Sequence, residues 1–290
     1  RRSSPEAAAY TDKGFGLSKA DFYVEGEPYQ HAKGVLHFKY KRGYSGARLD
    51  EGYLLLGRDE QIPHYLMAGR IYPAIGLFQT SFITDPVTQQ VFETQQEAGE
   101  VGYQGSWLSL GLGGYRSKVN EMDKGGRKVL GSYYARLGLA TPKDLLGNLK
   151  LRGGLAHTNN LAGSKFLTEQ ISGGLLSELV PGWSAMLAAE YGPLYFFGEY
   201  ISADRSFSPG ELSHAPAAAQ PRPWGSHLEL GYKPNKAWTF ALRHEAGGDL
   251  FAKQPERQWG VAVSWLFLPR TKLTLEYLDG HFQNGDGRHM

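Results

Sequence analysis

Apolar and polar residues alternate strictly over residues 128–157. Val129, Gly131, Tyr133, Ala135, Leu137 and Leu139 share one face, and Leu130, Ser132, Tyr134, Arg136 and Gly138 share the other. After a break at 141–144, Leu149, Leu151, Gly153 and Leu155 oppose Asn148, Lys150, Arg152 and Gly154. A period of two over two adjacent arms predicts a β-hairpin. Each arm runs to about ten residues, longer than the usual soluble strand and about what a tilted strand needs to cross a bilayer. Tyr, Leu and Gly on one side with Arg, Lys, Asn and Ser on the other fits lipid outside and water inside.

The pattern recurs along the chain. Strands are predicted at 17–25, 31–40, 48–59 and 64–72, then at 97–104 and 107–115. After the hairpin above come 182–191, 193–203, 224–233, 236–246, 257–267 and 271–280, giving fourteen in all. On the last pair, Trp259, Val261, Val263, Trp265 and Phe267 oppose Gln258, Gly260 and Ser264. Connections of a few residues alternate with connections of about seven to twenty-four. Short turns at one end and long loops at the other characterise outer-membrane barrels, whereas a soluble sandwich has no reason to keep its ends unequal. Following that parity, both termini fall on the long-loop side. The expectation is therefore a closed antiparallel transmembrane β-barrel of sixteen strands filling a single domain, 1–290, with one further strand before residue 11 and one after residue 288; a fourteen-stranded barrel is the alternative. Trp107, Tyr191, Tyr232, Trp238, Trp265 and Phe267 are candidates for an aromatic belt near the short turns.

Composition changes this picture little. No run approaches eighteen apolar residues, so helical spans are excluded. The mean hydropathy of −0.41 is that of a soluble chain, which a barrel showing lipid every second residue also produces. The 38 glycines and 17 tyrosines suit barrel walls and interface belts, and the lack of cysteine suits a periplasmic route. A net charge of +2 offers no case for nucleic acid.

The charged residues fall on the water-facing parity. Arg70, Arg136, Lys150, Arg152 and Arg243, with Glu51, Glu100 and Glu229, are the expected pore lining. Arg136, Lys150 and Arg152 would lie on one face of neighbouring strands. A wet lumen tolerates this mixture, which a sandwich core would have to desolvate. No GxxxxGK[ST], HExxH or GxSxG arrangement is present to support a nucleotide, zinc or serine-nucleophile site. No cofactor, metal site or enzymatic activity is expected.

LDEGYLLLG at 49–57, AGRIYPAIGLF at 68–78 and SFITDPVTQQVFET at 81–94 resemble the LbtU-type siderophore porin family of Gram-negative outer membranes. The preceding LSKADFYVEGEPYQHAKGVLHFKY is similar to that family's opening strands. The resemblance is clearest over the first third of the chain. It implies TonB-independent, channel-like passage of an iron-siderophore; the family's N-terminal coiled-coil region has no counterpart here. The residues alone support diffusion of small hydrophilic or charged solutes through an outer-membrane channel. Alternatives are a structural barrel or adhesin with an occluded lumen, an outer-membrane enzyme, and a secreted β-sandwich. Expected partners are outer-membrane lipid and the solute; the oligomeric state is open.

Residues 73–96 form the longest connection of the first half, the third outer loop once a missing first strand is counted. Resemblance to porins implies that it folds inward and constricts the pore. Ile75, Leu77, Phe78, Phe82, Ile83, Val87, Val91 and Phe92 are too many apolar groups for a solvated loop. Asp85, Thr88 and Glu93 are then expected to face the passage, opposite Arg70 and Arg136. The competing expectation is a lid or subunit latch outside the pore.

Overall fold

The computed structural model describes residues 19–41, 43, 45–59, 61–122, 131–142, 145–213, 215–250, 254–282 and 287–289. The alternating segments form one fifteen-stranded sheet in which every neighbouring pair is antiparallel. Its strands are β1 (Lys19–Tyr29), β2 (Ala32–Lys41), β3 (Arg48–Gly57), β4 (His64–Ile71), β5 (Gln96–Gln104) and β6 (Leu108–Arg116). A two-residue strand β7 (Asn120–Glu121) precedes β8 (Ser132–Ala140) and β9 (Leu149–Thr158). Another short strand, β10 (Leu175–Leu176), pairs with β7 in parallel, outside the main sheet. The wall continues through β11 (Gly182–Tyr191), β12 (Leu194–Ala203), β13 (Trp224–Tyr232) and β14 (Trp238–Gly248). It ends with β15 (Arg257–Leu268), β16 (Thr271–His281) and β17 (Gly287–His289).

The fourteen strands expected from alternation are all present, with ends shifted by a few residues. The short β17 pairs antiparallel with β16, with Gly280 opposite Arg288. A strand before residue 11 lies outside the described residues. Positive φ falls where tight turns need it, at His31, Gly192 and Arg270.

The sheet is apolar outside and polar inside. Along β13, Leu228, Leu230 and Tyr232 are exposed, while His227, Glu229 and Gly231, which alternate with them, are buried. On β15 the tryptophans and valines face out, and Gln258, Ala262 and Ser264 face in. All six belt candidates are exposed, and the Trp238 and Trp265 rings stack at 5.6 Å and 9°. A second set, Trp183, Trp259, Tyr133 and Tyr277, lies toward the long-loop ends. Trp183 and Tyr191 stand eight residues apart on β11, or about 26 Å along the strand before tilt. At a tilt of about 40° this spans about 20 Å of height, against an apolar band of about 25 Å in outer-membrane barrels. Among the described residues, no helix is long and apolar enough to cross a membrane.

The sheet must also curve. Residues 73–86 lead from β4 into a helix, α1 (Val87–Phe92), which returns to β5. Ile83 donates its backbone N–H to Glu276 on β16. In a flat sheet β14 and β5 would stand about 34 Å apart. Yet Val87, whose N–H Glu245 of β14 accepts, reaches Gln96 on β5 through six-residue α1 and four further residues, about 22 Å at most. To this the glutamate side chain adds roughly 7 Å. The wall therefore bends around segment 73–96, which lies on its polar side.

Candidate functional site

Segment 73–96 is fastened to the wall over β12–β16 by carboxylates that accept from its backbone. Glu199 accepts from Leu77 N at 2.6 Å, and Glu229 from Ser81 N at 2.9 Å and Thr80 Oγ1 at 2.7 Å. Glu245 accepts from Val87 N at 2.6 Å. Glu276 accepts from Ile83 N at 2.6 Å and Thr84 N at 3.2 Å, and also from the Thr84 hydroxyl. Arg243 supplies the opposite polarity: its Nη1 donates to the Thr84 carbonyl at 2.8 Å, and its guanidinium lies 4.2 Å from the Phe82 ring centroid. A segment without β-ladder partners must place its N–H groups somewhere, and here the acceptors are glutamates on the polar parity of four strands.

Apolar packing completes the attachment. Ile75, Val87, Val91 and Phe92 enter a cluster with Tyr115, Tyr134, Leu161, Leu167 and Ile201, and Phe82 packs with Ala241, Ala262 and Leu278. A second helix, α2 (Lys165–Gln170), brings Leu167 to this cluster. Leu77 and Ile83 remain exposed.

Across the sheet, Glu100 is satisfied differently. It accepts from Tyr134 Oη at 2.6 Å, from the Tyr65 hydroxyl and from Arg136 Nη2 at 3.2 Å. Tyr134 and Arg136 sit on β8 and reach β5 over β6, which presents glycine there. A Cβ on Gly111 would stand 2.7 Å from Arg136 Nε, and one on Gly113 would strike the Tyr134 ring. Glycine on β6 is what permits this contact.

The expected lining residues thus fall into different settings. Arg243 and Glu229 are buried beneath segment 73–96, and Glu100 lies within its tyrosine–arginine cluster. Glu51 lies 3.4 Å from His37 Nδ1. Lys150 and Arg152 face Glu190 at 3.8 and 3.6 Å. Arg136 stands opposite Ala156, and Arg152 opposite Ala140, so the three cations share a face without forming one track. Arg70 has the parity of the exposed Leu66 and donates to Gln95 Oε1 at 2.9 Å, near the long-loop end.

On the segment, Asp85 and Gln89 border a cavity of about 540 Å³ shared with Arg152, Glu190, Tyr195 and Lys233. Thr88 is fully buried, its methyl aimed at Gly225, and does not face a passage. The reason is helical: Thr88 shares the inner face of α1 with Val91 and Phe92. Glu93 accepts from Gln89 Nε2 at 2.7 Å, and burial holds its carboxyl above the ordinary range. Arg70 and Arg136 are engaged locally, by Gln95 and by Glu100. The docking glutamates Glu199, Glu245 and Glu276 were not among the expected lining set; only their water-facing parity marked them. Among the described residues, no group of three or more His, Cys, Asp or Glu side chains is placed to hold a metal.

No family model matches the chain. A UPF0422 protein of Coxiella burnetii is 25% identical over 227 residues, covering 75% of this chain and 47% of the relative. The chain thus spans about half the length of the curated relative it matches. Solved structures share its fold across nearly its whole length. OmpF of Salmonella typhi, in complex with daunomycin, superposes with a TM-score of 0.60 at 9% identity, covering 93% of this chain and 84% of that one. An anion-selective porin of Comamonas acidovorans gives 0.56 at 12% identity over 93% and 83%. The outer-membrane channel DcaP of Acinetobacter baumannii gives 0.51 at 14% over 93% and 80%. The chain has the fold of Gram-negative outer-membrane porins.

Proposed function

We propose that the sheet closes into a barrel of about sixteen strands in the Gram-negative outer membrane and conducts small hydrophilic or charged solutes by diffusion. Segment 73–96 is its constriction. The observation that carries this reading is the fastening of residues 77–87 to Glu199, Glu229, Glu245 and Glu276 on the polar side of a wall whose other side is apolar. A lid or external latch would leave those carboxylates without their partners. Diffusion requires weak sites along a wet path, and the cavity bordered by Asp85, Arg152 and Glu190 has that mixed character. The resemblance of 49–57, 68–78 and 81–94 to siderophore porins supports TonB-independent passage of an iron-siderophore as the specific form of this transport.

The apolar cluster joining segment 73–96 to residues 158–181 favours a second reading, a barrel with an occluded lumen serving as an anchor or adhesin. Planar-bilayer conductance separates the two. Steady ohmic steps from folded protein support the channel, and silence from folded protein supports the occluded barrel. Iron-limited growth with and without the gene tests the siderophore assignment.

A further inference from the structure

We infer that the cavity at the long-loop end, framed by β2–β6 and α2, captures multiply charged oxyanions bearing carboxylate or phosphate groups. This deepens the channel reading by naming a class of solute. The cavity measures about 420 Å³, within the range of small-molecule sites and roomier than one monovalent ion needs. Six cations line it against Asp50, Glu97 and Glu169, a surplus of three positive charges.

The surplus sits on particular residues. Lys39 is held by Asp50 at 2.5 Å, and Arg116 by Glu97 at 3.6 Å. Arg70 donates to the neutral Gln95 amide and makes no ion pair among the described residues. Lys118 and Lys165 line the cavity without an ion pair among the described residues, although the buried Glu93 carboxyl lies near enough to Lys165 to feel its charge. Cations of one sign gathered in a cleft gain favourable energy from an anion that reaches several of them at once. Chloride or acetate engages one; a divalent or trivalent oxyanion engages two or three.

The two lysines are carried on fixed backbone. Lys118 lies between buried Ser117 and Val119, whose N–H donates to Ser117 Oγ at 3.0 Å. Lys165 N donates to the Glu93 carbonyl at 3.0 Å, and Leu167 two residues on is fully buried. The floor is braced as well, since Gln95 Nε2 donates to the Asp50 carbonyl at 2.7 Å and to Tyr72 Oη at 2.9 Å. The attracting charges are therefore partly ordered before an anion arrives, which lowers the cost of binding. Glu97 and Glu169 temper the field and permit release, as passage requires.

Calorimetric titration of the folded full chain in detergent at low ionic strength, with pyrophosphate and with citrate as separate probes, tests the inference. Saturable binding of at least one probe is expected, weakened about tenfold by Lys118→Glu with Lys165→Glu, while acetate shows none. Binding of pyrophosphate alone assigns phosphate, and binding of citrate alone assigns carboxylate. Lys165→Gln, which adds no repulsive charge, should weaken binding less; Lys236→Glu, at a short turn, should leave it unchanged. Failure of both probes to bind, or wild-type binding by the double variant, overturns the site. Bilayer conductance of the same preparation keeps the two readings apart: binding without conductance sinks the channel alone, and conductance without binding sinks the capture site alone.

Discussion

Buried glutamates meet their hydrogen-bonding needs in opposite ways on the two sides of this molecule. On β4–β8, Glu100 is served by Tyr65, Tyr134 and Arg136, all residues of the wall itself. Across from it, Glu199, Glu229, Glu245 and Glu276 are served by the backbone of a segment that leaves the wall and returns. The first arrangement stiffens the sheet. The second makes the position of an internal segment depend on the wall's carboxylates. An unmet buried carboxylate is costly, so the docked backbone of segment 73–96 offsets the cost of burying the glutamates over β12–β16.

The harshest way to break this comparison is to remove α1. Replacing residues 87–92 by a Gly-Ser linker deletes Val87, Val91 and Phe92 from the core cluster while leaving the strands intact. Single-channel conductance is expected to rise severalfold, and unchanged conductance and ion selectivity in folded protein would remove 73–96 as the constriction. Next in size is Glu100→Gln, which leaves Arg136 without its carboxylate on the self-contained wall. Breaking such a pair costs about 3–5 kcal/mol, so thermal stability in detergent should fall clearly while conductance stays near wild type. A large conductance change would mean that this wall also governs the passage.

Glu229→Gln sharpens the contrast. Glu229 accepts from Thr80, Ser81 and Tyr195, and an amide presents one acceptor oxygen and an NH2 that meets donors. Each lost charge-assisted bond is worth about 1.5–3 kcal/mol locally. The expected result is noisier open-channel current and faster proteolysis within 77–87, with global stability less affected than in Glu100→Gln. Equal global losses in the two variants would erase the distinction between the walls.

The smallest effect is the pH response of Glu93, which lies outside the strands. Burial raises its pKa in the folded chain, so above the unfolded value the folded state binds more protons and stability falls as pH rises. As pH drops through the elevated folded pKa, the wild-type chain should gain stability relative to Glu93→Gln, whose profile lacks this term. Parallel thermal profiles across acidic pH would show that Glu93 is not held in this buried setting.

Much of the architecture could be read directly. Strand positions, their two faces, the unequal connections and the apolar demand of 73–96 all follow from short-range pattern, since a strand's side chains alternate whatever it pairs with. The site was less legible. Thr88 looked like a passage residue because no long helical period was present to show that six residues would coil and turn it inward. Arg70 looked internal because its charge was weighed over the parity it shares with Leu66. Arg136, Lys150 and Arg152 do share a face of neighbouring strands, as their parity implied, but the pattern did not reveal that Ala156 would stand opposite Arg136.

Sequence by itself thus determined the repeating unit: which residues form strands, which face of each strand is apolar, and that one long connection carries a core of its own. Those properties are local, set by a two-residue period and by the solubility of side chains. Only the tertiary structure decided which wall receives segment 73–96 and which charges meet. Those contacts join residues far apart in sequence, such as Thr80 with Glu229 and Ile83 with Glu276. They depend on how sharply the sheet bends and on small gaps such as Gly111 and Gly113, through which Arg136 and Tyr134 reach Glu100. Curvature and interstrand gaps sum many small register and twist choices, and no single stretch of the chain encodes them.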